Sequence, residues 1–223
     1  MRLYYFTPAR HAIENIENQR LKISFADEVN DVFELRPFDF GTKKIRKLWG
    51  KHITEMSKSI GFICFAANWA SPVMWAHYAK DHTGVCYGFD VAEDLVTPIR
   101  YVENLQHFAP DGKIDSTLIK RNMSYAIETK AKHWSYEEEA RFYIKLDKES
   151  IAKKKTSSGR LFFESFSKSF ALKEVILGMN SEISSERVVK SLKKGKNDVV
   201  VRTARPSFRK YAMVEQQLDR LKK

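Results

Sequence analysis

The sequence predicts an α+β fold: a single domain over residues 1–223, with a central mixed or antiparallel sheet flanked by helices. Three observations carry this. Short apolar runs with period-two alternation recur along the chain, as half-buried strands require. Between them lie stretches whose apolar residues return every three or four positions, the spacing of an amphipathic helix. No internal repeat and no linker rich in Gly, Pro or Ser divides the 223 residues, a length that one core can fill.

The elements follow in order. "RLYYFT" is a strand ended by Pro8, and "ARHAIENIENQ" a helix with Ala12, Ile13 and Ile16 as its apolar stripe. "LKISFA" is a second strand, followed by the loop "DEVNDVFEL". In "TKKIRKLWGKHITEMSKSI", Ile45, Leu48, Ile53 and Met56 recur at helical spacing, and "GFICFAAN" is a strong central strand. "SPVMWAHYAKDH" opens a helix with Ser71 as N-cap and Pro72 at its first position. "GVCYGFDV" and "PIRYV" are strands, and "DSTLIKRNMSYAIETKAKHW" is a long amphipathic helix. It runs into "HWSYEEEARFYIKL", where Phe142, Ile144 and Leu146 alternate with Arg141, Tyr143 and Lys145. Extended backwards, that alternation puts Glu137, Glu139 and Arg141 on one polar face and Glu138 on the other, with roughly 7 Å between alternate positions. After the Lys-rich loop "KESIAKKKTSSGR" come the strands "LFFESF" and "LKEVILG", a helix at 184–195 and a last strand "DVVVRTA". The motif-bearing core is thus 3–178, followed by a basic C-terminal helix and strand in 179–223.

Composition narrows the function classes. Hydrophobic content of 43% and aromatic content of 13% mark a globular protein. The longest apolar run, "SIGFICFAANWA", falls short of the roughly 20 residues of a membrane span. "MRLYYFTPARH" has neither the apolar core nor the cleavage site of a signal peptide. Cys64 and Cys86 are too few and too far apart for a zinc knuckle or a disulfide framework, and read as buried free thiols. A cytoplasmic protein with no membrane partner is expected, of undetermined oligomeric state. Lys and Arg number 39 against 28 Asp and Glu, a net charge of +11. Much of that excess falls in "KKIRKLWGKH", "IAKKKTSSGR", "RVVKSLKKGK" and "VRTARPSFRKY", which suit phosphates on a nucleotide or a small anionic ligand. Nucleic acid is an alternative partner for the basic C-terminal region, although no RNA-recognition or zinc-finger spacing is present.

Three polar clusters carry candidate chemistry. In "FADEVNDVFEL", Asn30 and Asp31 are turn formers, and either an Asx-turn or a pocket lining with Glu34 accounts for them. In "VMWAHYAKDHTGVCYGFD", Trp75, His77 and Tyr78 lie on adjoining helix faces, with His82 and Gly84 in the turn beyond. The histidines could ligate metal, but no carboxylate sits at the matching helical spacing, so no bound metal is predicted; a histidine bonded within the core is the commoner arrangement. The third cluster joins Trp134 to Glu137, Glu139 and Arg141. An indole beside carboxylates either desolvates one, as general acid–base work requires, or simply anchors the corner. Strand parity and the spacing to Arg141 favour Glu139 as the catalytic acid, with Glu137 and His77 beside it.

"FADEVNDVFEL", "FICFAANWASPVMWAHYAKDHTGVCYGFDV", "RYV", "KAKHWSYEEEARF" and "VILG" follow in the order of a bacterial family. The chain resembles domain of unknown function 2971 (DUF2971) from Leu3 to about Gly178. That family carries Phe-Asn-Asp-Pro-Phe-Glu, Met-Trp-x-x-Tyr-Ala-x-x-His-x-Gly-Val-Cys and Lys-x-x-x-Trp-x-Tyr-Glu-x-Glu-x-Arg. Val32 stands where the family usually has proline, and the family name implies no activity. More weakly, "LYYFTPARHAIENIENQRLKISFADEVND" is similar to the opening of ADP-ribosyltransferase-like folds. This resemblance implies NAD as substrate, gripped at Tyr5 and Thr7, with Glu137 or Glu139 stabilising the ribosyl cation and Arg10 and Arg141 on the pyrophosphate. A tyrosine stands where that fold expects histidine. The implied role is an NAD-consuming enzyme, toxin or phage-defence effector. The competing readings are a metal-dependent nucleic-acid-acting enzyme using Glu34, Glu137 and Glu139, and a non-catalytic nucleotide- or partner-binding domain around His77, Tyr78 and Trp134.

Overall fold

The computed structural model describes residues 1–146, 155–156, 159–192 and 198–223. Eight strands form its main sheet: β1 (Arg2–Thr7), β2 (Ile60–Ala66), β3 (Val85–Val91), β4 (Val96–Pro98), β5 (Glu139–Lys145), β6 (Phe170–Leu177), β7 (Val200–Pro206) and β8 (Met213–Glu215). Their spatial order is β8-β7-β6-β3-β1-β2-β5-β4. Every neighbouring pair is antiparallel except β6 and β7. That parallel pair needs a crossover, which the chain between them supplies with a helix. The fold is therefore α+β with a mixed sheet.

Among the described residues, five α-helices accompany the sheet: α1 (Ala9–Glu17), α2 (Lys43–Met56), α3 (Pro72–Tyr78), α4 (Ser116–Ile127) and α5 (Ser185–Leu192). Alternation along the strands sends their side chains to two cores. Leu3, Phe65, Tyr87, Phe89 and Val175 pack with Ala12 and Ile16 of α1 and Val188 and Leu192 of α5. Phe6, Ala66, Cys86 and Ile176 pack with Met74 and Trp75 of α3. Ser71 caps α3 by accepting from Met74 N at 3.4 Å, with Pro72 pre-set in the first turn. A third core gathers Phe38, Trp49 and Phe108. There the Trp49 indole donates to Leu35 O at 2.7 Å and pins the segment after "VNDVFE".

Two expected elements change at the acidic cluster. The helix expected over 115–134 stops at Ile127, because Thr129–Ala131 pairs in parallel with Arg100–Val102. Ladder hydrogen bonds to a neighbour outweigh a preference worth tenths of a kcal/mol per residue, roughly 0–0.7. Lys132–Glu137 then forms a 3₁₀ segment, and Glu138 takes φ 45°, a left-handed conformation. Glu137 therefore stands on a turn, and β5 begins at Glu139. Most of the expected Lys-rich loop, and positions 193–195 of the expected last helix, lie outside the described residues. Within that loop, Lys155–Thr156 and Gly159–Arg160 pair as short strands.

Candidate functional site

β1 and β2 pair at one register point, Tyr4 with Ala66. Residues of both strands beyond it, Tyr5, Phe6, Cys64 and Phe65, line a cavity of about 430 Å³. That volume lies within the roughly 300–1,000 Å³ of small-molecule sites. α3 closes one side with Met74, His77 and Tyr78, and the loop after the second predicted strand closes another with Glu28, Val29 and Asn30. β5 contributes Glu139 and Arg141, which sit opposite Ala66 and Cys64 in register and so share their face.

The wall on that side is an ion cluster. Arg141 is 1% exposed, yet its guanidinium makes four hydrogen bonds to two carboxylates. It grips Glu34 with both terminal nitrogens, at 2.7 and 3.0 Å, and reaches Glu139 at 2.6 and 3.2 Å. Lys130 Nζ bridges Glu137 and Glu139, the latter at 3.1 Å, and lies 4.8 Å from the Trp134 ring centroid. The Tyr78 hydroxyl donates to Glu137 at 2.5 Å, and the Tyr101 hydroxyl accepts from the Glu139 backbone N–H at 2.8 Å. Three carboxylates against two cations leave one excess negative charge out of water.

Environment separates the two neighbouring glutamates. Burial alone would raise the pKa of Glu139, but Arg141 and Lys130 outweigh it and hold the carboxyl at about 2. Burial raises the Glu137 carboxyl above its ordinary range, and the bonds from Lys130 and Tyr78 do not bring it back. Burial and the adjoining Glu137 push the Tyr78 phenol well above its usual value. Lys130 would lose its proton more easily through burial, yet Glu139 and Glu137 raise its pKa. Glu139 is thus held ionised, and Glu137 takes up a proton more readily than an ordinary carboxyl.

Of the expected site residues, Tyr5, Asn30, His77, Tyr78, Glu137, Glu139 and Arg141 come together at the cavity. Asn30 Nδ2 approaches the Tyr78 hydroxyl at 3.5 Å, and His77 Nδ1 meets the Tyr136 hydroxyl at 3.0 Å. The Tyr5 ring packs mainly on the other face of the sheet, 6.4 Å from Tyr87 and stacked with it. Four expected residues do not join the lining. Trp75 is wholly buried in the core beneath α3. Asp31 accepts from Phe33 N at 2.9 Å, the Asx-turn arrangement. His82 stacks on Trp75 in a left-handed run, Lys80 to His82, that ends α3. Trp134 lies behind Lys130.

Lys130 and Tyr101 complete the cluster without having stood among the expected site residues, and Glu34, expected as a pocket lining, joins it through Arg141. The signal for two of them lay in the motifs. Lys130 is the lysine of Lys-x-x-x-Trp-x-Tyr-Glu-x-Glu-x-Arg, and Glu34 is the glutamate that closes "VNDVFE". Among the described residues, no group of three or more His, Cys, Asp and Glu is placed to hold a metal ion, and no helix is long and apolar enough to cross a membrane. Cys64 and Cys86 are free thiols raised well above their usual pKa by burial.

Fold and site together define an α+β protein with a net-negative, desolvated ion cluster in the wall of a small-molecule-sized cavity. Residues 74–142 match the family described as "Protein of unknown function (DUF2971)", the family that the quoted motifs resemble. Neither curated proteins nor solved structures provide a match.

Proposed function

We propose that the cavity is the active site of an NAD-consuming enzyme that cleaves the nicotinamide–ribose bond. One observation carries the reading: two carboxyls on one cavity wall, separated in pKa, in a cluster with one excess negative charge. Such a wall favours a transition state that develops positive charge, as cleavage of an N-glycosidic bond does. The C1′–N bond breaks and its electron pair leaves with the nicotinamide nitrogen, neutralising the pyridinium. Glu137 faces the resulting oxocarbenium-like centre. Water, or a hydroxyl of an acceptor, adds to C1′ and gives its proton to Glu137. Glu139 acts as the fixed charge behind it, positioned by Arg141 and Lys130. Release of nicotinamide on a cellular scale would make the chain a toxin or defence effector. Arg141 is fully engaged by Glu34 and Glu139 and Arg10 lies outside the lining, so neither serves the pyrophosphate.

Magnesium-dependent cleavage of nucleic acid is the less favoured reading, because Lys130 and Arg141 occupy the space between the acids that would gather the ion. The test is nicotinamide release from NAD by the wild type, Glu137→Gln and Glu139→Gln. Turnover by the wild type, falling at least about 100-fold in Glu137→Gln, supports the assignment. Heat of NAD binding without release makes the cavity a nucleotide-binding module. Neither heat nor release refutes the reading.

A further inference from the structure

We propose that the β7–β8 hairpin is a docking site for a single-stranded nucleic acid. Phe208 is 91% exposed and Tyr211 fully exposed. The tip that carries them is closed by a hydrogen bond from Ser207 N to Ala212 O at 2.8 Å, and Ser207 Oγ accepts from Arg209 N at 3.2 Å. Arg209 and Lys210 lie between the rings, and the Arg205 guanidinium sits 4.9 Å from the Phe208 ring centroid. The chain from Thr203 to Val214 contains no carboxylate, and the flanking Arg202 and Glu215 neutralise each other at 2.5 Å. Among the described residues, no carboxylate lies within ion-pairing reach of Arg205, Arg209 or Lys210. Two exposed rings to take stacked bases, with Arg209 and Lys210 to take phosphates, are the two components of single-strand recognition, while Arg205 lies on the Phe208 ring and donates to Pro206 O at 2.9 Å. A lipid surface uses the same charge but needs a contiguous apolar face. Here serine, arginine and lysine flank both rings, and inserting the tip would bury Arg209 and Lys210.

The tip is also tied to the cavity. Met213 N donates to Ala70 O at 2.8 Å, Ala70 N to Asn68 Oδ1 at 2.9 Å, and Asn68 Nδ2 to Glu138 Oε2 at 2.7 Å. Glu138 separates Glu137 from Glu139 in the chain. The base of the hairpin is therefore tied to the segment that bears both carboxyls. Binding at the tip does not rest on the NAD-consuming reading; where both hold, the docked strand supplies the acceptor hydroxyl or ring nitrogen.

The test is fluorescence anisotropy of labelled single-stranded DNA and RNA of about 16 nucleotides, a site size common for such modules, with the wild type, Phe208→Ala, Tyr211→Ala and Arg209→Ala/Lys210→Ala. Binding to the wild type should weaken with salt at a logarithmic slope of about −1.4, from two phosphate contacts. Each ring deletion should weaken it at least about fivefold, with the melting curve unchanged because both rings are exposed. Absence of binding at low salt overturns the proposal. So does binding indifferent to both rings, or capture by phosphatidylserine vesicles without capture by either oligonucleotide.

Discussion

Replacing Arg141 by methionine removes the one cation shared by Glu34 and Glu139. Both carboxylates are nearly inaccessible, at 5% exposure each, so neither recovers water when the guanidinium is lost. Breaking a buried pair by deleting one partner costs about 3–5 kcal/mol. In a chain of this size that corresponds to a drop in Tm of about 6–20 °C. The loss should depend on pH with a definite sign. In the wild type the Glu139 carboxyl is held at about 2 against an ordinary 4.5, so its contribution is present above 4.5 and fades as pH falls toward 2. Without Arg141, burial dominates at Glu139 and the sign reverses: the carboxyl destabilises near neutrality and is relieved on protonation. The gap between the two proteins should therefore be widest near neutral pH, narrow as the pH falls, and close only toward about 2. Glu137 is raised in the wild type and keeps its Lys130 and Tyr78 partners in the variant, so it cancels to first order. The assay is urea unfolding followed by tryptophan fluorescence across pH. The triple variant Glu34→Gln/Glu139→Gln/Arg141→Met, which buries no unpaired charge, should recover much of the loss. A deficit under about 1 kcal/mol, the size of an exposed pair, or one indifferent to pH, would refute the buried-cluster energetics.

Further outcomes follow from individual contacts. Tyr78→Phe removes the donor at 2.5 Å from Glu137, should cost about 1.5–3 kcal/mol, and should raise the Glu137 pKa further, read as an alkaline shift of the acidic limb of the rate profile. Gly84→Ala should destabilise by at least about 1–3 kcal/mol in thermal melts, since a Cβ there would stand 2.2 Å from Thr7 O and 2.9 Å from Ala79 O, both backbone atoms. Cys64 and Cys86, whose thiols burial holds protonated, should resist a disulfide reagent at neutral pH in the native protein and react only on unfolding.

Strand alternation made most of the sheet legible, because Leu3, Phe65, Phe89 and Val175 obey a period fixed by backbone geometry. It also placed Glu139 and Arg141 on one face, where they are. It could not foresee the left-handed Glu138, since the conformation follows from tertiary packing at the end of the 3₁₀ segment. Glu137 and Glu139 nevertheless converge, through Lys130 and not through strand parity. Lys130 was hidden because helical propensity ran on past Ile127, whereas pairing with Arg100–Val102 turned its stretch into a strand and buried the ammonium. Trp75 and His82 looked rich enough for chemistry, yet their aromatic surface forms the base of α3 and its left-handed exit. Glu34, 107 positions before Arg141, is the hardest to read: nothing local announces an ion pair of that span.

The division of labour between the two glutamates is tested most directly by ¹³C NMR titration of carboxyl-labelled glutamate, with Glu137→Gln and Glu139→Gln for assignment. The Glu139 resonance should show a midpoint at about 2, and that of Glu137 a midpoint above the ordinary 4.5. Two overlapping titrations near 4.5 would contradict the account, because neither carboxyl would then be set apart for proton exchange.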